Sequence, residues 1–384
     1  MNFDRALAIA MMITLTAVTL LALKSRLINQ RLVALAKQFR LHHLLALLAW
    51  ALMLVHTALA FWRDWPDSLS LYFTLSDLPT VAGWIALLLF AVVIMSSWLP
   101  RLAWKHWYLL HLLSLPAFVA VALHALSYSR TRFVDFALLL SLFAILILSI
   151  FRALFDRLSA AHASRFRVQK NQPVAAGISE LHLAPTGAQK NLQYPAGSIV
   201  YLRFEGQGFS RQWHPFSVAS CRYEDDLRLL IKGLGADTRK IGDLHRADLV
   251  LIRGPFREFT PDFSRQQIWI AGGIGIAPFA GYAACLAHYT HGRVSLFHFI
   301  EREEQKLSLK SYAGNMPAAF TETSVHTPAH TLPDLSAVLS AARENLGAQF
   351  IVCGPPRFMR YIRRTLKHAG VDAPNIETEE FLPW

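Results

Sequence analysis

Histidines stand out in the first half of the 384-residue chain because they fall within two long apolar segments. These segments, Leu41–Trp62 and Trp107–Leu126, contain no Asp, Glu, Lys or Arg. They carry five histidines: His42, His43, His56, His111 and His124. An ionisable side chain in such a segment is costly and rare, so a cluster of them indicates function. Imidazoles placed there can ligate a metal or relay protons.

The spacing of the histidines divides them into two pairs at two depths. His42 and His56 are fourteen residues apart, so on a helix they share a face about 21 Å apart. His111 and His124 are thirteen apart, or about 20 Å, but an ideal helix turns one from the other by about 140°. Pro116 lies between them and can change the local winding. Two facing pairs suit axial ligation of two stacked haems, with a proton relay or another metal site as alternatives. His43 rivals His42 because it would give both segments the same spacing.

The composition indicates that these segments cross a membrane. Hydrophobic residues make up 54% of the chain and charged residues 17%, which is more apolar than a typical soluble protein. A helix of about 20 apolar residues spans the hydrocarbon layer. Five segments have this character: Ala6–Leu23, Leu41–Trp62, Thr80–Leu99, Trp107–Leu126 and Val134–Phe151. The alternative for the first is a cleaved signal peptide, but Lys24 and Arg26 follow it instead of small residues. We predict five membrane helices.

The placement of charge predicts the orientation. The net charge is +12, and the linkers after the first and third apolar segments are basic, whereas Arg63–Pro79 has more acids than bases. The short turn with Arg130 and Arg132 is the exception. Positive linkers stay in the cytoplasm, so we expect a multi-pass protein of the inner membrane with everything after Phe151 in the cytoplasm. His42 and His111 then lie near the inner surface, and His56 and His124 near the outer one. This charge distribution argues against a nucleic-acid partner.

The sequence pattern of the remainder of the chain predicts two folded domains. Short strand-like runs up to about Asp262 predict an antiparallel β-barrel, and from Gln266 the pattern is that of a parallel α/β unit. The predicted domains are an all-α transmembrane bundle of about five helices (1–158), a β-barrel (159–262) and a nucleotide-binding α/β domain (263–384). Because Cys221, Cys285 and Cys353 are far apart in sequence, we expect no disulfide and no thiolate metal site.

Glycine-rich and hydroxyl-bearing strings follow several of the predicted strands. Lys232–Thr238 and Gly272–Phe279 place glycines where backbone amides at a helix start can approach an anion such as a phosphate. Taken alone, a Gly-x-Gly string at the end of a strand usually marks an ordinary turn. Cys353-Gly354-Pro355-Pro356 follows another strand-like run, for which a buried structural cysteine is the plain interpretation. Glu379-Glu380-Phe381 stands near the C-terminus.

Together these strings resemble a known family. The histidine segments are similar to the ferric reductase-like transmembrane domain of NADPH oxidases and iron-chelate reductases, in which histidine pairs ligate two b-type haems. The family's usual Leu-His-basic order favours His42 over His43. His214-Pro215-Phe216-Ser217 resembles the flavin motif of the ferredoxin reductase superfamily, and Lys232–Thr238 resembles its FAD pyrophosphate segment. Gly272–Phe279 and Cys353–Pro356 resemble its nucleotide signatures.

The resemblance implies a role for each matching residue. His42, His56, His111 and His124 would ligate haem iron. Ser217 would hydrogen-bond the flavin, Cys353 would lie by the nicotinamide, and Phe381 (or Trp384) would cover the flavin until nicotinamide displaces it. The other expected FAD contacts are His214, Pro215, Phe216, Lys232, Gly235 and Thr238. The other expected nucleotide contacts are Gly272, Gly273, Gly275, Pro278, Gly354 and Pro355. Two departures from the pattern are Ala277 in place of Thr and Arg257-Glu258 in place of Gly after Gly254-Pro255-Phe256.

The end of the second strand of the nucleotide domain bears on the choice between NADH and NADPH. An acid there accepts hydrogen bonds from the adenosine 2′-hydroxyl and repels a 2′-phosphate, whereas an Arg does the reverse. The resemblance places Glu301 at this position, which favours NADH, but Arg302 is one residue on.

The resemblance therefore implies a transmembrane flavocytochrome b oxidoreductase. Hydride would pass from NAD(P)H to FAD in the cytoplasm, and single electrons would continue through two haems to an acceptor on the outer side. A ferric chelate is the first expectation for the acceptor. The alternatives are O2, as in a superoxide-generating oxidase, and a periplasmic partner protein that takes the electrons instead of a small molecule.

Overall fold

The computed structural model describes, apart from isolated positions, residues 3–22, 35–67, 77–99, 104–128, 163–186, 194–256, 261–288, 293–312, 320–328 and 331–380. The chain divides into two compact units, Met1–Leu158 and Ser159–Pro383. The described part of the first unit is helical, and the second contains all the described strands.

Helices of the first unit follow the predicted apolar segments. They are α1 (Phe3–Leu21), α2 (Leu35–Arg63), α3 (Leu78–Trp98), α4 (Trp104–Leu112) and α5 (Ser114–Tyr128). Three stretches are long and apolar enough to cross a membrane: Arg40–Arg63, Leu78–Trp98 and His106–Tyr128. The apolar part of α1, Ile9–Leu21, is shorter. The predicted fifth helix, Val134–Phe151, lies almost entirely outside the described residues, so the total of five stays a prediction.

The fourth apolar segment is interrupted between α4 and α5. Pro116 has no N–H to donate, and its ring would clash with the carbonyl of the residue four positions earlier, which is Leu112. α4 ends at Leu112, where that clash would occur. The Leu113 amide instead bonds the Leu110 carbonyl at 3.1 Å, and α5 begins at Ser114. The proline therefore sets the position of the break.

Small residues let the helices of this unit pack closely. Ala49 of α2, Ala86 of α3 and Ala117 of α5 are all at most 2% exposed, and such residues permit close approach of helix backbones in membranes. The larger buried side chains around them include Met12, Leu15 and Phe90. Large apolar residues such as Leu88 and Met95 of α3 are exposed, as expected for helices that face lipid.

The second unit begins with a six-stranded antiparallel sheet. Its strands are β1 (Ser164–Ala175), β2 (Ile178–Pro185), β3 (Ile199–Phe204), β4 (His214–Ser217), β5 (Leu227–Lys232) and β6 (Leu249–Phe256). Their order is β4-β3-β6-β1-β2-β5, and one bridge between Val218 and Leu229 joins the two edges. The antiparallel prediction is confirmed, whereas closure into a full barrel rests on that single bridge in the part of the chain that is described.

A five-stranded parallel sheet completes the unit. It comprises β7 (Gln267–Gly272), β8 (Val294–Ile300), β9 (Phe320–His326), β10 (Gln349–Gly354) and β11 (Ile376–Glu380), in the order β11-β10-β7-β8-β9. The helices are α6 (Ala277–Cys285), α7 (Ser336–Glu344) and α8 (Pro356–His368). Apolar runs such as Ile268–Ile270 are wholly buried, as expected for parallel strands covered on both faces. Both sheets lie in one compact unit, so the predicted domain boundary at 262 stays a prediction.

A disulfide contradicts our expectation for the cysteines. Cys221, just after β4, is bonded to Cys285 at the end of α6, although 64 residues separate them. The expectation was wrong because distance along the chain does not limit distance in space, and the fold brings the two Cα atoms to 5.1 Å. The cysteines are 2% and 4% exposed, so the bond lies in the interior of the second unit.

Reducing this bond should destabilise the second unit. Closing a loop of 64 residues contributes about 4 kcal/mol in the chain-entropy account of disulfides. We expect dithiothreitol to lower the unfolding midpoint of the purified chain, and Cys221→Ser/Cys285→Ser to show the lower midpoint with or without reductant. Equal midpoints for the oxidised and reduced wild-type chain would contradict the bond.

Candidate functional site

The histidines of α2 face those of α4 and α5 in two pairs. The ring centroids of His42 and His111 are 6.4 Å apart, and those of His56 and His124 are 6.2 Å apart. His43 lies beside His42, at 5.7 Å between ring centroids. The structure thus brings together the four histidines that the sequence singled out and places His42 opposite His111.

Hydrogen bonds fix the tautomer of one histidine in each pair. Nδ1 of His42 lies 3.0 Å from the Val18 carbonyl oxygen of α1, and Nδ1 of His124 lies 2.9 Å from the Pro79 carbonyl oxygen of α3. A carbonyl oxygen can only accept, so Nδ1 carries the proton in both residues. The lone pair is therefore on Nε2. This is the arrangement of metal-ligating histidines, whose other ring nitrogen usually donates to a carbonyl or carboxylate.

The distance between the rings of each pair fits one metal ion held between them. An imidazole nitrogen binds a metal at about 2 Å, so rings on opposite sides of one ion have centroids about 6 Å apart. Among the described residues no group of three or more His, Cys, Asp or Glu could hold a metal. A metal held by only two protein ligands must bring its other ligands with it, as haem iron does. The residues present therefore fit two bis-histidine haems.

The interruption before Pro116 lies between the two histidines of this segment. A continuous helix would turn His111 and His124 about 140° apart, yet both rings meet a partner on α2. A break in the helix, such as the one between Leu112 and Ser114, is where the relative rotation of two helix segments can change. Trp107, stacked on His111 at 4.7 Å between centroids, supports the ring on the α4 side.

We expect Pro116→Ala to disturb this pairing. Alanine lets the helix run through Leu113 because it restores the missing amide and removes the ring clash. His124 would then rotate away from His56, and the purified variant should bind fewer than two haems per chain. Pro100→Ala, at a proline between the third and fourth apolar segments, is the control and should retain the wild-type haem content. Two haems in Pro116→Ala would show that the break does not set the pairing.

Gly83 of α3 is a site residue that the sequence analysis missed. A Cβ atom at this position would lie 2.7 Å from Nδ1 of His124 and 3.0 Å from its Cε1. Only glycine leaves room for the imidazole to reach the Pro79 carbonyl. The signal in the sequence was a lone glycine in an apolar helix, which usually has a packing reason.

In the second unit, a histidine–aspartate pair joins the two predicted flavin motifs. Nε2 of His214 donates to Oδ2 of Asp237 at 2.8 Å, and the Ser210 amide donates to Oδ1 at 3.0 Å. Burial raises the pKa of the Asp237 carboxyl, but the hydrogen bonds from Ser210 and His214 outweigh it and hold the pKa below its usual value. Ser217, at the end of the same strand as His214, is 4% exposed. Asp237 was not among the predicted site residues.

The predicted pyrophosphate segment gathers backbone donors around one hydroxyl. Oγ1 of Thr238 accepts from the amides of Gly235 at 2.7 Å and Leu234 at 3.0 Å. Lys232 ends β5 directly before these glycines. Converging amide donors are the groups that a phosphate oxygen accepts from, but here they donate to Thr238 within the turn, so the pyrophosphate role stays a prediction.

The two nucleotide signatures meet at the ends of neighbouring parallel strands. Gly272 ends β7 and leads into Gly273–Gly275, while Cys353 and Gly354 end β10, which pairs with β7. A Cβ atom on Gly275 would lie 2.3 Å from the Cys353 carbonyl oxygen, so the loops are in backbone contact. Gly354 has a φ of +155°, and Cys353 is fully buried. Pro278 lies in the first turn of α6.

His298 is a second residue that the sequence analysis missed. It lies on β8, is fully buried, and donates from Nε2 to the Gly273 carbonyl at 3.0 Å. Burial lowers the pKa of His298 to about 4, against a smaller upward effect of this hydrogen bond. The imidazole is therefore neutral at physiological pH and ties the nucleotide loop to the sheet.

The structure gives less information about the remaining predicted residues. Glu301 and Arg302 follow β8 and are both exposed. Phe381 and Trp384 lie outside the described residues. Glu379, just before them, is 7% exposed and accepts a hydrogen bond from the Tyr282 hydroxyl at 3.3 Å.

Comparisons with known proteins agree with these two units. Residues 7–122 match the family described as ferric reductase like transmembrane component. Residues 168–249 match the family described as FAD-binding domain. The first match contains His42, His56 and His111 but ends two residues before His124, and the second contains His214, Ser217 and Thr238.

Curated relatives include reductases and oxidases. A flavohemoprotein of Xylella fastidiosa is 26% identical over 244 residues, which cover 58% of this chain and 59% of the relative. A superoxide-generating NADPH oxidase heavy chain of Dictyostelium discoideum is 24% identical over 65% of this chain and 39% of its own length. The chloroplastic ferric reduction oxidase 7 of Arabidopsis thaliana is 29% identical over 38% of this chain and 22% of its own length. The chain spans less than two thirds of each of these proteins.

A solved structure shows the fold of the second unit. The cytochrome P450 reductase GcoB of Amycolatopsis is 22% identical with a TM-score of 0.50, over 57% of this chain and 70% of that one. The second unit thus shares the fold of that protein. The chain therefore matches a ferric reductase like transmembrane component and an FAD-binding domain in one sequence, and the proteins it is similar to include an NADPH oxidase and a ferric reduction oxidase.

Proposed function

We propose that this protein is a transmembrane NAD(P)H oxidoreductase that delivers electrons to an acceptor on the outer side, as a ferric chelate reductase does. The observation that carries the proposal is the pair of facing histidine couples, His42–His111 and His56–His124, in a chain that also has a reductase-type unit. When bound, FAD supplies the conversion of a two-electron hydride donor into single electrons, and haem supplies one-electron transfer through the apolar layer.

The four histidines would hold the two b-type haems. The carbonyls of Val18 and Pro79 accept the Nδ1 protons of His42 and His124, which leaves the lone pair of each ring on Nε2. Because the two couples are about 20 Å apart along α2, each would serve a separate haem. The apolar helices around both couples would keep water away from them.

The second unit would bind FAD and the nicotinamide nucleotide. Ser217 offers a neutral hydroxyl that donates or accepts as the flavin gains and loses a proton. The Lys232–Thr238 turn, in which the Leu234 and Gly235 amides converge on Oγ1 of Thr238, would hold the pyrophosphate. The adjoining loops at Gly275 and Cys353 would hold the nucleotide, with Cys353 near the nicotinamide and Phe381 over the flavin until it is displaced.

The orientation follows from charge. Basic linkers favour a cytoplasmic second unit and a His56–His124 couple near the outer surface of the inner membrane. The source of hydride and the acceptor are then on opposite sides.

Two other acceptors are candidates. The similarity to a protein named as a superoxide-generating NADPH oxidase favours O2 as one of them. The other is a periplasmic partner protein. Electron delivery to either acceptor would use the same cofactor sites. The alternatives differ only in which molecule takes the electrons at the outer surface.

The nucleotide preference tests the proposed place of Glu301. Like charges about 4 Å apart near a surface repel by several kcal/mol before screening, so a carboxylate at the adenosine 2′ position should disfavour NADPH. We expect a higher kcat/KM for NADH than for NADPH, and a smaller ratio in Glu301→Gln. Glu304→Gln, a nearby exposed acid, is the control. A strong NADPH preference in the wild type would place Arg302, not Glu301, at the ribose.

The function itself is tested in sealed vesicles that contain the purified chain. NADH is supplied on one side, and an impermeant ferric chelate on the other. We expect reduction across the membrane that stops when His56 and His124 are both replaced. Reduction only on the NADH side would contradict the proposal. Superoxide in place of ferrous product would identify the oxidase alternative, and turnover only with a periplasmic extract would identify the partner protein.

A further inference from the structure

Three polar side chains form a closed hydrogen-bonded group where α3 begins and α5 ends. The Tyr128 hydroxyl donates to Oδ2 of Asp77 at 2.6 Å and lies 2.7 Å from Oγ1 of Thr80. Asp77 is the N-cap of α3: its Oδ2 accepts from the Thr80 amide at 3.2 Å and also from the Thr80 hydroxyl. This group ties the first turn of α3 to the last turn of α5.

The same turn of α3 contains the carbonyl that binds His124. Pro79 lies between Leu78 and the capping partner Thr80, and its ring fixes its own φ angle. Its carbonyl oxygen accepts from Nδ1 of His124 at 2.9 Å. The cap and this acceptor therefore belong to the same turn, and Gly83, one turn later, leaves room for the ring.

Tyr128 bounds the imidazole on the other side. It follows His124 by four residues on α5, the spacing at which side chains of a helix are neighbours. The two ring centroids are 5.2 Å apart. Hydrogen bonds from Thr80 and then Tyr128 lower the pKa of Asp77, so this acid is a carboxylate at neutral pH and is an acceptor only.

We propose that Asp77, Thr80 and Tyr128 form a clamp that positions His124 and tunes the electronic properties of the group it holds. This inference rests on the proposed role of His124 as a haem ligand. Partners of a ligating histidine fix its ring orientation and raise its basicity. At His42 the accepting carbonyl belongs to Val18 of α1 instead, so the clamp acts on one couple.

A charge argument gives the direction of the effect. The carboxylate of Asp77 stabilises the oxidised form of a nearby redox centre because that form is the more positive one. Asp77→Asn should therefore raise the midpoint potential of the haem at His56–His124. The haem at His42–His111 should keep its potential, because it lies about 20 Å farther along the helices.

The test uses full-length purified protein and does not depend on turnover. Haem content, the two midpoint potentials and the electron paramagnetic resonance signals of the oxidised haems are measured for Asp77→Asn and Tyr128→Phe. We expect one potential to shift upward in Asp77→Asn. The signal of that same haem should change in both variants, and the other haem should be unaffected. Ser127→Ala is the matched control, because its hydroxyl donates to the Leu123 carbonyl of its own helix.

The possible outcomes distinguish a failure of the clamp from a failure of the proposed function. Loss of only one haem from Tyr128→Phe, with flavin retained, would also support the clamp. Unchanged potentials and signals in both variants, or equal changes in both haems, would overturn the clamp and leave the proposed function standing. A wild-type chain that binds no haem would overturn the proposed function and the clamp with it.

Discussion

Replacing His124 with Leu is expected to leave one haem per chain instead of two and to abolish electron delivery to the outer side. His124 faces His56 at 6.2 Å between ring centroids, and leucine offers no lone pair for the iron. The measurement is haem content per flavin in the purified variant, together with the rate of flavin reduction by NADH. That rate should equal the wild-type rate, because the second unit is unaltered.

A substitution in the His42–His111 couple provides the matched comparison for His124→Leu. His111→Leu should also remove one haem, but the haem that remains should have the spectrum and potential of the one lost in His124→Leu. His106→Leu, at an exposed histidine of α4, should retain both. Two haems in His124→Leu would refute the assignment of this residue.

Replacing Gly275 with Ala is expected to reduce kcat/KM for flavin reduction by about 100-fold or more, the effect of a misplacement of about 1 Å. The new Cβ would lie 2.3 Å from the Cys353 carbonyl oxygen and 2.9 Å from Cα of Gly354. Both are backbone atoms that cannot rotate away, so the two nucleotide loops must separate. Stopped-flow reduction of the flavin by NADH measures the effect, and haem content should remain at two.

The control for this prediction is Gly242→Ala. A Cβ atom there meets nothing within 4 Å, so flavin reduction should stay at the wild-type rate. If Gly275→Ala also retained that rate, the two loops would not form the nucleotide site.

The histidine couples were predictable from the sequence because helical geometry acts locally. A spacing of fourteen residues places His42 and His56 on one face, and apolar composition marks the helices. The 140° mismatch between His111 and His124 appeared as a weakness of that argument. In the structure the helix is interrupted before Pro116. The proline indicates that an interruption occurs, but it does not specify how the two helix segments are rotated relative to each other.

Contacts between elements distant in sequence were not predictable. The bond between Cys221 and Cys285 depends on where β4 and α6 meet, and the support of His124 by Pro79 and Gly83 depends on how α3 packs against α5. In the sequence, nothing distinguishes His298 from the other residues of its strand. Its role depends on a contact with Gly273 of the nucleotide loop, which lies 25 positions away in sequence.

The most direct test of the central claim is a reduced-minus-oxidised absorption spectrum of the purified protein with haem and flavin quantified per chain. We predict two low-spin, bis-histidine b-type haems and one FAD. We also predict that NADH reduces the haems only when FAD is bound. A preparation that holds FAD and is reduced by NADH, but binds no haem when haem is supplied, would contradict the claim.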